Sequence, residues 1–310
     1  MTRKMFDLLP GLALAALLVV PAPSALAGNP GDAGVLSLRL GVGAREAGMG
    51  ETGVASSTGA AAVWWNPANN VFADFGTELV LQTQRYVGLF DQHAAAVAHR
   101  AGGGVLGFIF TGFYSDEIER YSAEPVGVPE GTFEPYDVAF GVSYARGVGE
   151  NFAVGATAKM VYERIDIYSD TGFALDLGIT HRAVIEGLLF AATVTNLGGQ
   201  MNVKDQPFDL PTAVRLGAAW SPATAVGGKL TLAGEVLMPN DSTEKAHLGG
   251  EYRLLPELAL RVGTRVNYES QGLTAGAGFR TGRLGVDYAF SDWTTEGFDD
   301  GHKFSLRLVW

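Results

Sequence analysis

Five histidines, at positions 93, 99, 181, 247 and 302, are the side chains here that titrate near neutral pH and could bind a metal or move a proton. They are scattered, with no metal-ligand spacing, and read as strand or rim residues. Asp292, Glu296, Asp299 and Asp300 gather hard oxygen donors of the kind calcium prefers, although a solvated acidic loop is the simpler reading. The glycines from Gly43 to Gly50 do not make a phosphate loop, because no Gly-Lys-Ser/Thr follows them. The sequence contains no cysteine, which excludes disulfides, thiol catalysis and zinc–thiolate sites. No catalytic residue, metal site or cofactor is therefore assigned, and the chain is expected not to be an enzyme. A Ser/His or Asp/His pair brought together at a rim is the arrangement that would reverse this.

The elements that carry these residues are legible from composition and rhythm. Of 310 residues 47% are apolar and only 18% charged, below the quarter usual in soluble domains. After residue 27 no uninterrupted apolar stretch reaches the roughly 18 residues of a spanning helix. Dispersed hydrophobicity with 42 glycines points to strands. A formal charge of −11 argues against a nucleic-acid partner, which would need clustered Lys and Arg.

From residue 76 the sequence alternates almost without pause. Tyr136, Val138, Phe140, Val142 and Tyr144 fall on one face, with Asp137, Ala139, Gly141 and Ser143 between them. Phe304, Leu306, Leu308 and Trp310 alternate with Ser305 and Arg307. Asp176, Glu235, Glu251, Arg261, Arg265, Arg280, Asp287 and Arg307 lie on the non-apolar face of their segments, where they could line a lumen and pair with one another. Period-2 alternation also suits a soluble sandwich, and the connections separate the two. Fourteen alternating segments can be drawn. The long connections, 114–134, 197–210 and 291–301, all follow odd-numbered segments, and every even-numbered connection is short. Long loops on one rim and short turns on the other are the mark of an outer-membrane barrel.

The N-terminal 75 residues differ. Arg3 and Lys4 precede an apolar run from Leu8 to Val20, and Ala25-Leu26-Ala27 offers small residues for cleavage; residues 1–27 are expected to be a signal peptide. Residues 28–75 are rich in small side chains and lack sustained alternation. Asn66-Pro67 is a helix start, with an Asn to cap free amides and a Pro that has no amide to waste. The expected organisation is a signal peptide (1–27), a helical or irregular plug (28–75) and an all-β, antiparallel transmembrane barrel of about fourteen strands (76–310).

Gly43-Ala44-Arg45-Glu46-Ala47-Gly48-Met49-Gly50, followed by Trp64-Trp65-Asn66-Pro67-Ala68, resembles the PorV/PorQ family, itself similar to FadL-type outer-membrane transporters. The likeness continues at Gly172-Phe173-Ala174-Leu175-Asp176, Asn196-Leu197-Gly198, Leu260-Arg261-Val262-Gly263 and Gly285-Val286-Asp287-Tyr288. Asn69-Asn70 and Glu51 depart from the family's usual Gly-Leu and glycine. The resemblance implies a fourteen-stranded barrel plugged through Arg45, Gly48, Met49, Gly50, Trp65, Asn66, Pro67 and Ala68. It also implies an accessory of type IX-like protein secretion that binds exported cargo at the cell surface. The alternative is a FadL-like passive transporter of hydrophobic small molecules. The expected partners are outer-membrane lipid and lipopolysaccharide, the barrel assembly machinery, and cargo proteins or a hydrophobic ligand. FadL-type barrels interrupt their third strand, so Gly104, Gly107 and Gly112 mark either a lateral opening or, equally compatible, a tight turn and room for bulky neighbours in the lumen. Phe304, Leu308 and Trp310 are the expected assembly signal.

Overall fold

The computed structural model describes residues 31–121, 127–223, 229–293 and 299–310. The expected signal peptide, residues 28–30 and Glu296 lie outside the described residues.

The strands, in chain order, are β1 (Thr77–Tyr86), β2 (Phe90–Ala101), β3 (Gly104–Ser115), β4 (Ile118–Arg120), β5 (Gly131–Phe133), β6 (Tyr136–Val148), β7 (Phe152–Ile165), β8 (Tyr168–Arg182) and β9 (Leu188–Gly198). They continue with β10 (Met201–Val203), β11 (Gln206–Phe208), β12 (Ala213–Trp220), β13 (Lys229–Pro239), β14 (Lys245–Arg253), β15 (Leu258–Val266), β16 (Gln271–Thr281), β17 (Leu284–Trp293) and β18 (Gly301–Val309). Fourteen of them close into one antiparallel barrel, in which β18 pairs with β1. The short strands β4–β5 and β10–β11 are hairpins inserted into the two longest connections, a detail that the alternation did not show.

Closure follows from the sequence alternation and the turns. Gly102 and Gly103, at φ +60° and +77°, make the two-residue turn between β2 and β3 that right-twisted strands require. The outer face carries Phe108, Phe140, Phe173, Val262 and Leu273, each about half exposed or more. The inner face buries Asp176, Glu235, His247, Glu251 and Arg261. Apolar outside and charged inside is the inverse of a water-soluble domain and is what a bilayer imposes on a closed barrel. Among the described residues no helix is long and apolar enough to cross a membrane. Towards the long-loop rim Tyr114, Tyr136 and Tyr162 stand side by side on the outer face of β3, β6 and β7. Their ring centroids are 6.0 and 5.9 Å apart, as in the aromatic girdles of membrane barrels.

The third strand favours the second of the two readings of its glycines. It pairs with β2 from Phe90↔Ser115 to Ala101↔Gly104, and with β6 from Gly104↔Arg146 to Tyr114↔Tyr136, with no break on either side. The other reading, a lateral opening at Gly104, Gly107 and Gly112, does not hold: the wall there is closed along its whole length. Gly107 serves close approach instead: a methyl placed on it would press on the Val63 side chain and the Ser143 hydroxyl. Register shifts occur elsewhere, at Leu175/Leu177 between β8 and β9 and at Gln271/Thr274 between β16 and β17.

Residues 31–75 hold a 3-10 turn (Leu36–Arg39), α1 (Ala44–Gly48), α2 (Ala62–Trp65) and a second 3-10 turn (Pro67–Val71). These touch β2, β3, β6, β7 and β8 on one side and β15 to β18 on the other, so the segment lies within the ring.

Candidate functional site

The charged inner face does not line an open pore. It is spent on itself and on the segment within. Arg261 binds Glu251 at 2.8 Å and Asp287 at 2.7 Å, and Arg45 of α1 adds its own bond to Glu251 at 3.0 Å. Arg215 pairs with Glu235, Lys159 with Asp176 at 2.7 Å, and Arg307 with Glu78. Arg265 faces Glu51 at 3.9 Å. Removed from water, each of these charges would cost several kcal/mol if left alone, which is why they occur in sets. Burial lowers the pKa of Arg45, but Glu251 and Glu46 beside it outweigh burial and hold the guanidinium more firmly charged than usual.

Inward side chains of the wall also take up amides of the inner segment. The Val54 amide donates to Glu235 at 3.0 Å, Ala60 to Glu78 at 3.1 Å, Gly50 to the Thr274 hydroxyl at 2.9 Å and Ala44 to Ser305 at 2.8 Å. Charge-assisted bonds of the first kind are roughly twice as strong as neutral ones. Cations on the wall also lie over the tryptophans of α2: Lys159 is 4.8 Å from the Trp64 ring and Arg215 is 5.1 Å from Trp65.

The structure brings the sequence-marked residues of the segment into one unit. Asn66 caps the second 3-10 turn by accepting from the Ala68 amide at 3.1 Å, with Pro67 at the first position. Its amide group reaches the Thr180 hydroxyl on β8 at 3.0 Å. The Trp65 indole donates to the Val42 carbonyl at 2.7 Å. Gly48, Met49 and Gly50 lie against Gly276, Gly249 and Gly263 on the inner faces of β16, β14 and β15. The two departures from the resemblance have roles of their own. Asn70 clasps Gly59 through both its amide atoms, accepting at 2.7 Å and donating at 2.9 Å, while Asn69 donates to the carbonyls of Val54 and Ser57 at 3.0 Å. Glu51 stands at φ +63°, a left-handed conformation that glycine adopts more cheaply. Its carbonyl accepts from or faces His247 Nδ1 at 3.1 Å, and its carboxylate faces Arg265.

All eight expected lumen charges point inward, but Arg280 makes no ion pair among the described residues and sits at the short-turn end near Arg307 and Asp287. The reading of the sequence overlooked Glu78, Lys159, Arg215 and Lys303. Their signal was present, since each falls on the inward beat of its strand, but Val80 shares that beat in β1 and blurs it. Phe304, Leu308 and Trp310 face outward and are exposed. The histidines stay apart, and among the described residues no group of three His, Asp or Glu side chains is placed to hold a metal ion.

Space beside the inner segment is limited. A cavity of about 50 Å³ lies among Arg45, Glu78, Arg280 and Arg307, and one of about 260 Å³ among Arg45, Ser56, Lys229 and Glu251. Towards β2–β8 the lumen is apolar: Leu38, Trp64, Ile109, Val161, Met201 and Leu210 form one buried cluster beneath the β10–β11 hairpin.

No protein-family model matches the sequence, and no curated protein does. Solved structures share its fold. The toluene transporter TbuX of Ralstonia pickettii is 15% identical, with a TM-score of 0.65 over 87% of this chain and 98% of that one. The toluene transporter TodX of Pseudomonas putida is 13% identical, with a TM-score of 0.62 over 87% and 96%. A FadL homologue of Pseudomonas aeruginosa is 11% identical, with a TM-score of 0.54 over 86% and 97%. The fold is thus that of the FadL-like outer-membrane barrels. This likeness overturns the expectation of a PorV-type secretion accessory, because over 87% of the chain it is to structures described as toluene transporters. The short glycine-rich motifs mark where residues 43–50 meet the wall, so they carried the fold and not the role.

Proposed function

We propose that this chain is a passive outer-membrane channel for hydrophobic small molecules, with residues 31–75 as its plug. The observation that carries this reading is the division of the lumen. A charged half grips the inner segment, and the opposite half offers an apolar cluster under the long-loop rim. A water-filled porin has no use for buried Trp64, Met201 and Leu210 in its bore. The structural neighbours described as toluene transporters support the same class of solute. On this reading residues 1–27 direct export and are removed, and Phe304, Leu308 and Trp310 present the assembly signal. The long-loop rim then faces outward among lipopolysaccharide.

Uptake by intact cells tests it. Cells expressing the chain should take up a labelled monoaromatic hydrocarbon faster than cells without it, while uptake of a disaccharide stays unchanged. Faster disaccharide uptake with no change for the hydrocarbon would make it a porin.

A further inference from the structure

The two rims carry different charge, and the difference bears on which solutes can enter. Every long connection exposes carboxylates: Asp116 after β3, Glu130 before β6, Asp205 in the β10–β11 turn, Glu244 before β14, Glu269 before β16 and Asp299 before β18. The cations among them are partly taken. Arg85 is bonded to both Asp91 and Asp116, and Arg120 pairs with Asp166 at 3.0 Å. Beneath this rim lies the apolar cluster around Trp64 and Met201, and the cation over its Trp64 ring, Lys159, is already paired with Asp176. Inside the lumen Arg45, Arg215, Arg261, Arg307 and Lys159 each already hold a carboxylate within 3.0 Å. The inward cations less tightly held are Arg265, 3.9 Å from Glu51, Lys303, bonded to the Gly41 carbonyl at 2.7 Å, and Arg280 at the short-turn end; the first two lie on β15 and β18, outside the β2–β8 side that carries the apolar cluster.

We infer that the mouth selects by charge: the channel admits uncharged apolar molecules and rejects amphiphiles with an anionic head. This rests on the channel reading above and narrows its substrate to neutral hydrocarbons and their uncharged relatives. Two effects act in series. The acidic rim lowers the local concentration of anions, an effect that spans 10- to 1,000-fold in rate for strongly focused fields and shrinks as salt rises. An anion that passes the rim then meets a dry apolar cluster in which its charge is unpaired. The rim treats cations and anions differently, whereas the apolar cluster penalises both, so a set of three probes separates the two effects.

The experiment compares toluene, benzylammonium and toluenesulfonate, which share a ring and differ in charge. Uptake is measured in low-salt buffer with cells that express the full chain and with cells that lack it. The expected order of channel-dependent uptake is toluene, then benzylammonium, then toluenesulfonate, with toluene at least about tenfold above the sulfonate. A variant carrying Asp116→Asn, Glu130→Gln, Asp205→Asn, Glu244→Gln, Glu269→Gln and Asp299→Asn should admit several-fold more sulfonate and the same amount of toluene. These six side chains are exposed on loops, so barrel assembly should survive, and a heat-modifiable band on gels checks that it has. Sulfonate uptake equal to that of toluene in the parent would overturn the inference and leave the channel reading standing. So would an assembled variant that gains no sulfonate uptake. If toluene itself gains nothing from the channel, the channel reading falls first and this inference with it.

Discussion

Two stretches of the barrel wall are rich in glycine, and they use it differently. On β3 only Gly107 of the three marked glycines faces the lumen, and it makes room for the tip of the Val63 side chain. On β14, β15 and β16, Gly249, Gly263 and Gly276 form an inward stripe, with Gly249 directly opposite Gly263. There the plug approaches with its backbone: a methyl on Gly276 would stand 3.1 Å from the Gly48 Cα, and one on Gly263 would overlap the peptide joining Met49 to Gly50. A side chain can swing aside, whereas a backbone held at both ends cannot. Glycine in a barrel strand therefore reports how close a neighbour comes, and a break in the wall is only one reason for it.

Substitution at the two seams should separate them most widely. Gly263→Val should drive the Met49–Gly50 peptide from the wall and raise single-channel conductance in planar bilayers from near zero to a sustained open level. Gly107→Ala should leave conductance at the parent level. Equal behaviour of the two variants would remove the distinction.

Next in size is the charge that anchors the plug beside the β14–β16 stripe. Glu251→Ala leaves Arg45 and Arg261 without their shared carboxylate, and breaking such a buried set costs about 3–5 kcal/mol. The compact barrel should lose its gel shift at a clearly lower temperature, and protease should reach the plug. Loss of the same size from Glu130→Gln, on the exposed rim, would mean that burial is not the cause.

Acidification should act more gently on the same side. Burial raises the pKa of Glu51, but Arg265, Lys303, His247 and Arg215 outweigh burial and hold it below the usual value. A depressed carboxylate stabilises the folded state above its unfolded pKa of about 4.3, and that contribution is lost as pH falls through the lower folded value. Plug protection from an acid-stable protease should therefore hold at pH 6 and weaken below about pH 4. Glu51→Gln should abolish this dependence.

The smallest effect is expected at β3. Phe108 and Val142 are direct cross-strand partners, and a disulfide between Phe108→Cys and Val142→Cys should leave hydrocarbon uptake unchanged. Uptake that falls on oxidation and returns on reduction would show that β3 parts from β6 after all.

Much of this was legible in the sequence, for reasons that also explain what was missed. Alternation survives in strands such as β6 and β18 because lipid on one side and plug or lumen on the other punish any slip of register. Strand number and loop parity followed from it. The plug's contacts were not legible, because Val54 finding Glu235 across 181 residues leaves no local trace. The glycines of β3 left two readings open because the sequence shows that a side chain is absent and not what fills its place. The β10–β11 hairpin escaped because its turn uses Lys204 and Asp205, both at positive φ, where glycine or asparagine would have been the signal.

The seam between β1 and β18 joins the most distant partners in the wall, Glu78 and Arg307 being 229 residues apart. Until they meet, both strands expose unpaired amides and carbonyls, which hydrocarbon does not tolerate. The plug spans this seam: Ala60 and Gly43 donate to Glu78 and Gln82 on β1, while Ala44 and Gly41 engage Ser305 and Lys303 on β18. A segment that holds both edges shortens the search by which they find each other. Residues 31–75 thus tie together the two strands that stand farthest apart along the chain.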